Sequence, residues 1–251
     1  MAISEAIALG VVQGVTEFLP ISSSGHLVIL QELLRWKGPS LEFDVAVHIG
    51  TLFAILVVLR KRIWSLIRDP LAYPSRLILL GTLPTAVAGL IAHFFARRAF
   101  ESGILASTML ILTGFYLWST RKAPQGKKDA LRTSPLDALL VGIAQGLSVL
   151  PGLSRSGLTI ATGLHRGLER HWAGEFSFLL AIPALVGAAI LEAPRMAKAP
   201  ILPLAMGTVS AFLSGSLALL FLLKVVRGGK LYRFAPYCWA VGIGYTVLVL
   251  L

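Results

Sequence analysis

The sequence predicts an all-α integral membrane protein, with six transmembrane helices and two re-entrant helix-loop-helix pairs arranged as an inverted-topology repeat. Three observations predict it. The 251 residues are 56% hydrophobic and only 14% charged, with a mean hydropathy of +0.79, whereas soluble domains are usually about a quarter charged. Six apolar stretches are long enough to cross a bilayer, which takes about 20 residues of helix. A polar motif set inside apolar sequence also occurs twice: Gln13-Gly14, Ser22, Ser24 and Gly25 recur 132 positions later as Gln145-Gly146, Ser154, Ser156 and Gly157.

Ile3 to Val12 is an apolar helical stretch. Gln13 and Glu17 continue it on one face, since residues four apart stack on a helix. Pro20 breaks it. Ser22-Ser23-Ser24-Gly25 can turn the chain and cap a second helix, because serine accepts from the free N–H groups of a first turn. His26 falls in that turn, where backbone donors and the helix dipole favour an anion. The apolar run that follows is soon interrupted by Gln31, Glu32, Arg35 and Lys37, too soon to span. This predicts a re-entrant pair, whose broken backbone is tolerable at membrane depth only when buried in protein or facing a water-filled cavity.

Spans are expected at 43–59, 77–96 and 103–120. A polar linker, Ala-Pro-Gln-Gly-Lys-Lys-Asp at 123–129, leads to the second motif, Gln145 to Gly157, and the apolar run after it ends at His165-Arg166. Three more spans follow at 172–191, 203–223 and 234–251. The whole chain reads as one membrane domain made of repeats 1–122 and 134–251, each a re-entrant pair plus three spans. Three is odd, so the second copy enters the membrane inverted. Shorter echoes agree: Glu42-Phe43 with Glu175-Phe176, and Gly81-Thr82 and Gly89 with Gly207-Thr208 and Gly215.

Charge predicts the orientation. Segments 60–76, 121–133 and 224–233 carry fourteen Lys and Arg, against six on the other side: Arg35, Lys37, Arg97, Arg98, Arg195 and Lys198. The richer side is expected in the cytoplasm, with both termini outside. The same clustering in loops argues against nucleic acid as the reason for the net charge of +11. No basic segment precedes the first apolar stretch, so no cleavable signal peptide is expected. The one cysteine, Cys238, excludes an intrachain disulfide and a multi-cysteine metal site. Tryptophans fall mostly near segment ends, as an interfacial belt does.

Intramembrane ionisable residues usually mark function. Glu17 is a candidate general base, orienter of His26, or oxygen ligand to a divalent cation. The imidazole of His26 suits proton transfer or attack on phosphorus. Glu17 and His26 are expected to act as one unit. Arg155 takes the place of Ser23 in the second copy, inside the break of an apolar run. A structural arginine would snorkel to a loop; a planar fork for phosphate oxygens explains this one better. Gln13, Ser22, Ser24, Ser154, Ser156 and Gly157 complete a candidate phosphate seat, the serines serving equally well as caps. Asp44 and His48, four apart beside the first motif, are candidate neighbours of the site. His93, His165 and His171 fall at predicted helix ends.

Gln13-Gly-Val-Thr-Glu17-Phe-Leu-Pro-Ile-Ser22-Ser23-Ser24-Gly25-His26, with Pro151-Gly-Leu-Ser154-Arg155-Ser156-Gly157, resembles the undecaprenyl pyrophosphate phosphatase (bacitracin-resistance) family. Glu175-Phe-Ser-Phe-Leu-Leu-Ala-Ile-Pro183 looks like a further segment of it. The family's first motif is Glu or Gln, three residues, then Glu. Gln13 is the variant that leaves one carboxylate where a two-carboxylate metal site needs two. The resemblance implies hydrolysis of undecaprenyl diphosphate to undecaprenyl phosphate and inorganic phosphate in a bacterial plasma membrane, recycling the lipid carrier for peptidoglycan. It also implies a divalent cation, Mg2+ or Ca2+, a site reached from outside the cell, and commonly a homodimer. His26, Ser23 and water all stand as candidate nucleophiles. The rival reading is a transporter or flippase of a lipid phosphate, because inverted repeats with broken helices are a transporter signature.

Overall fold

The computed structural model describes residues 1–34, 40–95, 102–192 and 201–251. Arg35, Trp36, Lys37, Arg97, Arg98, Arg195 and Lys198 lie outside these residues, as does the side chain of His93. Eleven α-helices and no β-strand occur among the described residues. They are α1 (Ile3–Phe18), α2 (Ser23–Leu34), α3 (Leu41–Val58), α4 (Arg60–Arg68), α5 (Tyr73–Phe95), α6 (Gly103–Ser119), α7 (Pro135–Leu147), α8 (Arg155–His165), α9 (Arg170–Glu192), α10 (Ile201–Arg227) and α11 (Ala235–Leu250).

Serine starts several of these helices. Ser40, Ser102 and Ser154 accept from the N–H groups of Phe43, Leu105 and Gly157. Ser134 and Asp137 form a reciprocal capping box at α7, with Pro135 in the first turn, where its missing N–H costs nothing. Six spans of 18 to 27 residues are long and apolar enough to cross a membrane: α3, α5, α6 with the 3-10 turn that carries it to Lys122, α9, α10, and α11 with the 3-10 turn that precedes it from Leu231. They coincide with the six expected stretches. The helices of the two motifs are shorter, with 16, 12, 13 and 11 residues in α1, α2, α7 and α8. Each pair is interrupted where expected, at Pro20 and at Pro151. One expectation needs correcting: segment 60–76 is not all loop, because its first nine residues form α4. Ile63 and Leu66 pack on the core, an apolar edge too short to stand out in a run of arginines.

The motif helices cross-pair with spans of the other half. Gly10 and Gly14 of α1 lie on α10, and Gly142 and Gly146 of α7 lie on α5. A Cβ on Gly10 would come within 3.0 Å of Gly207 Cα, and one on Gly142 within 2.9 Å of Gly81 Cα, so only glycine permits these approaches. The two breaks meet at the centre, where Gly152 N–H donates to Ser22 Oγ (3.1 Å). Around them lies a core containing Phe18, Leu110, Ile160 and Leu180, all fully buried. The ring of Phe18 meets Phe178 edge-on at 5.6 Å.

The 123–129 linker is held at its far end by Asp137, whose buried carboxylate accepts from Lys128 (2.7 Å), Arg166 (2.8 Å) and Ser134 N–H (3.0 Å). Burial works to raise its pKa, but hydrogen bonds from Lys128, Ser134 and Arg166 outweigh it and hold the carboxyl at about 2.

Candidate active site

The site forms where the two breaks meet. Leu19 to Ser22 leaves α1 through a tight turn, and Ser22 sits in the left-handed region with φ of 65°, uncommon for a residue other than glycine. Its Oγ accepts from Gly25 N–H (3.2 Å) as well as from Gly152 N–H. The strained turn thus starts α2 and docks the second break on the first. Gly152, with φ of 94°, makes the matching turn before Ser154 caps α8.

Glu17 and Arg155 face each other across this junction. Arg155 Nη2 donates to Glu17 Oε1 at 2.6 Å. Glu17 Oε2 accepts from Ser23 Oγ (3.1 Å) and from Gln13 Nε2 (3.2 Å). His48 Nε2 lies 3.7 Å from the same oxygen and 3.1 Å from Gln13 Nε2. His48 Nδ1 donates to the Asp44 carbonyl at 2.7 Å, which leaves Nε2 as an acceptor. The side chains of Glu17 and Arg155 are 9% and 15% exposed, so each offsets the other's loss of water. Arg155 also lies 5.8 Å over the ring of Phe178. Its Nη1 is buried and has no partner among the described residues. A guanidinium with one nitrogen on a carboxylate and the other free is a ready donor to an incoming anion.

These groups line one end of a cavity of about 320 Å3. Glu17, Ser23, Ser24, His48 and Arg155 line it together with the polar side chains of Thr16, Thr85, Gln145 and Ser148, while Val149, Leu153, Ala181, Ala184, Leu185 and Ala188 supply apolar wall. Ser22 and Ser154 touch the cavity but are occupied as caps. Ser156 and Gly157 are buried behind it, and Gln13 reaches it only through Glu17 and His48.

His26 stands apart from the arrangement expected of it. Among the described residues it makes no contact with Glu17. Its Nδ1 donates to the Ser22 carbonyl (2.8 Å), its Nε2 accepts from Tyr237 OH (2.9 Å), and the two rings stack at 5.5 Å. It borders a separate apolar groove between α2 and α11. Sequence proximity joined His26 to Glu17, whereas Glu17 turns to Arg155 and Ser23, and His26 to the Ser22 carbonyl and Tyr237.

Four wall residues went unassigned from sequence: Thr16, Thr85, Gln145 and Ser148. Gln145 Nε2 donates to Thr85 Oγ1 and to the Leu180 carbonyl, each at 3.1 Å. Since a carbonyl can only accept, the amide orientation is set, and Oε1 is left buried without a partner among the described residues. The repeat offset carried the signal, for it takes Gln13 to Gln145 and Thr16 to Ser148.

No three His, Cys, Asp or Glu side chains converge to hold a metal among the described residues. Glu17 and Ser23 offer two oxygen donors, so a hard cation would need further oxygens from a ligand or water to be held there.

Fold and cavity together define a multi-pass membrane protein with a paired Arg155 and Glu17 lining an internal cavity. The chain belongs to the bacitracin resistance protein BacA family, whose match spans residues 6–244. It is similar to the undecaprenyl-diphosphatase of Carboxydothermus hydrogenoformans, with 45% identity over 98% of this chain and 96% of the relative. It is also similar to those of Desulforapulum autotrophicum (41%, covering 97% of each chain) and Desulfatibacillum aliphaticivorans (43%, covering 98% and 97%).

Proposed function

We propose that this protein hydrolyses undecaprenyl diphosphate to undecaprenyl phosphate and inorganic phosphate, recycling the lipid carrier used for cell-wall synthesis. The observation that carries the reading is the Arg155–Glu17–Ser23 constellation in a cavity that also has apolar wall from Val149, Leu153, Ala181, Ala184, Leu185 and Ala188. Arg155 keeps Nη2 on Glu17 and turns its free Nη1 to the terminal phosphate. Ser23 Oγ already donates to Glu17, so the carboxylate is placed to take its proton as Oγ attacks the terminal phosphorus. The bond to the bridging oxygen breaks, and polyprenyl phosphate leaves with the proton that Glu17 took. Glu17, a carboxylate again, deprotonates the water that cleaves the phosphoserine, and that proton returns to Ser23 Oγ as inorganic phosphate leaves. Both ring nitrogens of His26 are engaged away from the cavity, which favours Ser23 over His26 as nucleophile. A divalent cation, Mg2+ or Ca2+, would be held by Glu17, Ser23 and the diphosphate, and would neutralise phosphate charge.

The apolar wall suits the first carbons of a prenyl chain. A cavity of about 320 Å3 is near the lower end of the ~300–1,000 Å3 typical of small-molecule sites, so most of the tail stays in lipid. The inverted repeat of 1–122 and 134–251 is supported by the matched Gly10–Gly207 and Gly142–Gly81 contacts and by the meeting of the two breaks. The Lys and Arg asymmetry supports a site opening to the extracytoplasmic side of the plasma membrane. Those same cross-paired broken helices also favour a second reading, a flippase of a lipid phosphate. Purified protein in detergent, given a prenyl diphosphate and Mg2+, separates the two. Phosphate release that vanishes in Arg155→Ala is expected; none above that variant would sink the hydrolase reading.

A further inference from the structure

Helix α4 begins one residue after α3 ends, with Leu59 as the joint between them. A helix so close to the end of a span lies at the level of the lipid headgroups. Its two sides differ in kind. The inner side is pinned to the protein: Arg62 donates to Glu175 Oε2 through Nε (3.1 Å) and Nη2 (3.0 Å) and lies 5.4 Å over the ring of Trp172. Ile63 and Leu66 pack beside it.

The outer side has no protein cover. No residue of α4 is buried. Trp64 is 57% exposed, Ile67 63% and Leu71, just beyond the helix, 71%. Arg60, Lys61 and Arg68 are exposed around them, and none of the three makes an ion pair among the described residues. Arg68 lies 5.2 Å over the Trp64 ring, so the cation and the aromatic share one surface. Lys61, Trp64 and Arg68 recur at helical spacing, so one stripe carries both the charge and the aromatic bulk, with Ile67 exposed beside it. That combination is wrong for water and wrong for hydrocarbon. It matches the plane between them, where an aromatic body sits among acyl carbonyls and cations reach phosphates.

We propose that α4 is a binding helix for anionic phospholipid, lying in the headgroup layer beside the ends of α3 and α5. The occupant is anionic lipid rather than a protein partner because the helix adjoins a span and because three exposed cations, Arg60, Lys61 and Arg68, outnumber the one acidic side chain beside them, Asp69, where the apolar residues emerge. A basic side chain near such a surface raises the local occupancy of anionic lipid roughly fivefold.

The experiment uses the full-length protein in nanodiscs of phosphatidylcholine containing a fixed fraction of brominated phosphatidylglycerol, or of brominated phosphatidylcholine at the same fraction. Tryptophan emission is read. Brominated phosphatidylglycerol is expected to quench the wild type more strongly, and the excess is expected to shrink in Trp64→Phe. It should fall at least about fivefold in Arg60→Gln/Lys61→Gln/Arg68→Gln. It should survive in Lys122→Gln/Lys127→Gln/Arg132→Gln, which removes as much charge from segment 121–133. Equal quenching of the wild type by the two lipids, an undiminished excess in Trp64→Phe, or an equal loss in both charge variants would overturn the proposal. Melting temperatures matching the wild type show that the variants, all at exposed positions, are folded.

Discussion

Arg155 pairs with Glu17 through Nη2 and leaves Nη1 buried without a partner among the described residues, and the proposed reaction gives that free nitrogen to the substrate phosphate. Lysine supplies charge without the fork, so Arg155→Lys is expected to retain a folded protein and lose about 2.7–4 kcal/mol of transition-state stabilisation, or about 10²–10³ in kcat, the range for one preorganised donor. Steady-state phosphate release reads it, and wild-type turnover would remove Arg155 from the reaction. Glu17 and Ser23 are joined by one hydrogen bond. Groups that act as a unit lose activity non-additively, so Glu17→Gln combined with Ser23→Ala should be little worse than the poorer single variant. Losses that multiply would mean independent roles. His26 offers the converse case. An asparagine can keep a donor near Nδ1 for the Ser22 carbonyl but cannot act as nucleophile or base, so His26→Asn should keep much of the activity that His26→Ala loses. Equal loss in the two would restore the imidazole to the chemistry.

At the level of elements, the six long helices were legible because about 20 consecutive apolar residues admit few other readings. The breaks were legible because Pro20 and the serine clusters leave a helix little choice. The partners of the site residues were less so. Nothing in the first motif says that Glu17 faces Arg155, 138 positions away, rather than His26, nine away. That pairing depends on the cross-packing of α1 on α10 and α7 on α5, which brings the breaks together. The two glycine contacts that permit this should be intolerant of bulk. Gly10→Leu and Gly142→Leu must each separate a helix pair or move backbone, at a cost of about 1–3 kcal/mol or more. Lower melting temperature and lost phosphate release should go together in both, whereas the same change at Gly244, where an added Cβ meets nothing within 4 Å, should leave the protein unaffected. Asp137 tests the junction between the halves by pH. Its folded carboxyl is depressed to about 2, below its usual value near 3.9, so the stability it supplies is present above that usual value and declines as pH falls toward 2. Asp137→Asn should lower the melting temperature at neutral pH and flatten this acid limb. An unchanged limb would place the acid sensitivity elsewhere.

The whole molecule adds a constraint that no single element carries, because the proposed direction of access depends on how the two halves lie in the bilayer. Fourteen Lys and Arg in segments 60–76, 121–133 and 224–233 face six in the segments between the other span ends. The interfacial character of α4 agrees with that assignment, since the leaflet richer in anionic lipid is the cytoplasmic one. If these segments are cytoplasmic, six spans return both termini to the outside and the break of α1 and α2 is entered from there. Ala72 and Gln125 lie in two of the basic segments, and the single natural cysteine, Cys238, is buried and contributes little background. Ala72→Cys and Gln125→Cys should therefore resist a membrane-impermeant thiol reagent in intact cells and react once the membrane is opened. A cysteine at Met1 should show the opposite order. Ready labelling of Ala72→Cys and Gln125→Cys in intact cells would reverse the orientation and turn the mouth of the first break toward the cytoplasm. A lipid diphosphate would then have to be met on the side where it is made, and the recycling role would no longer follow from the geometry.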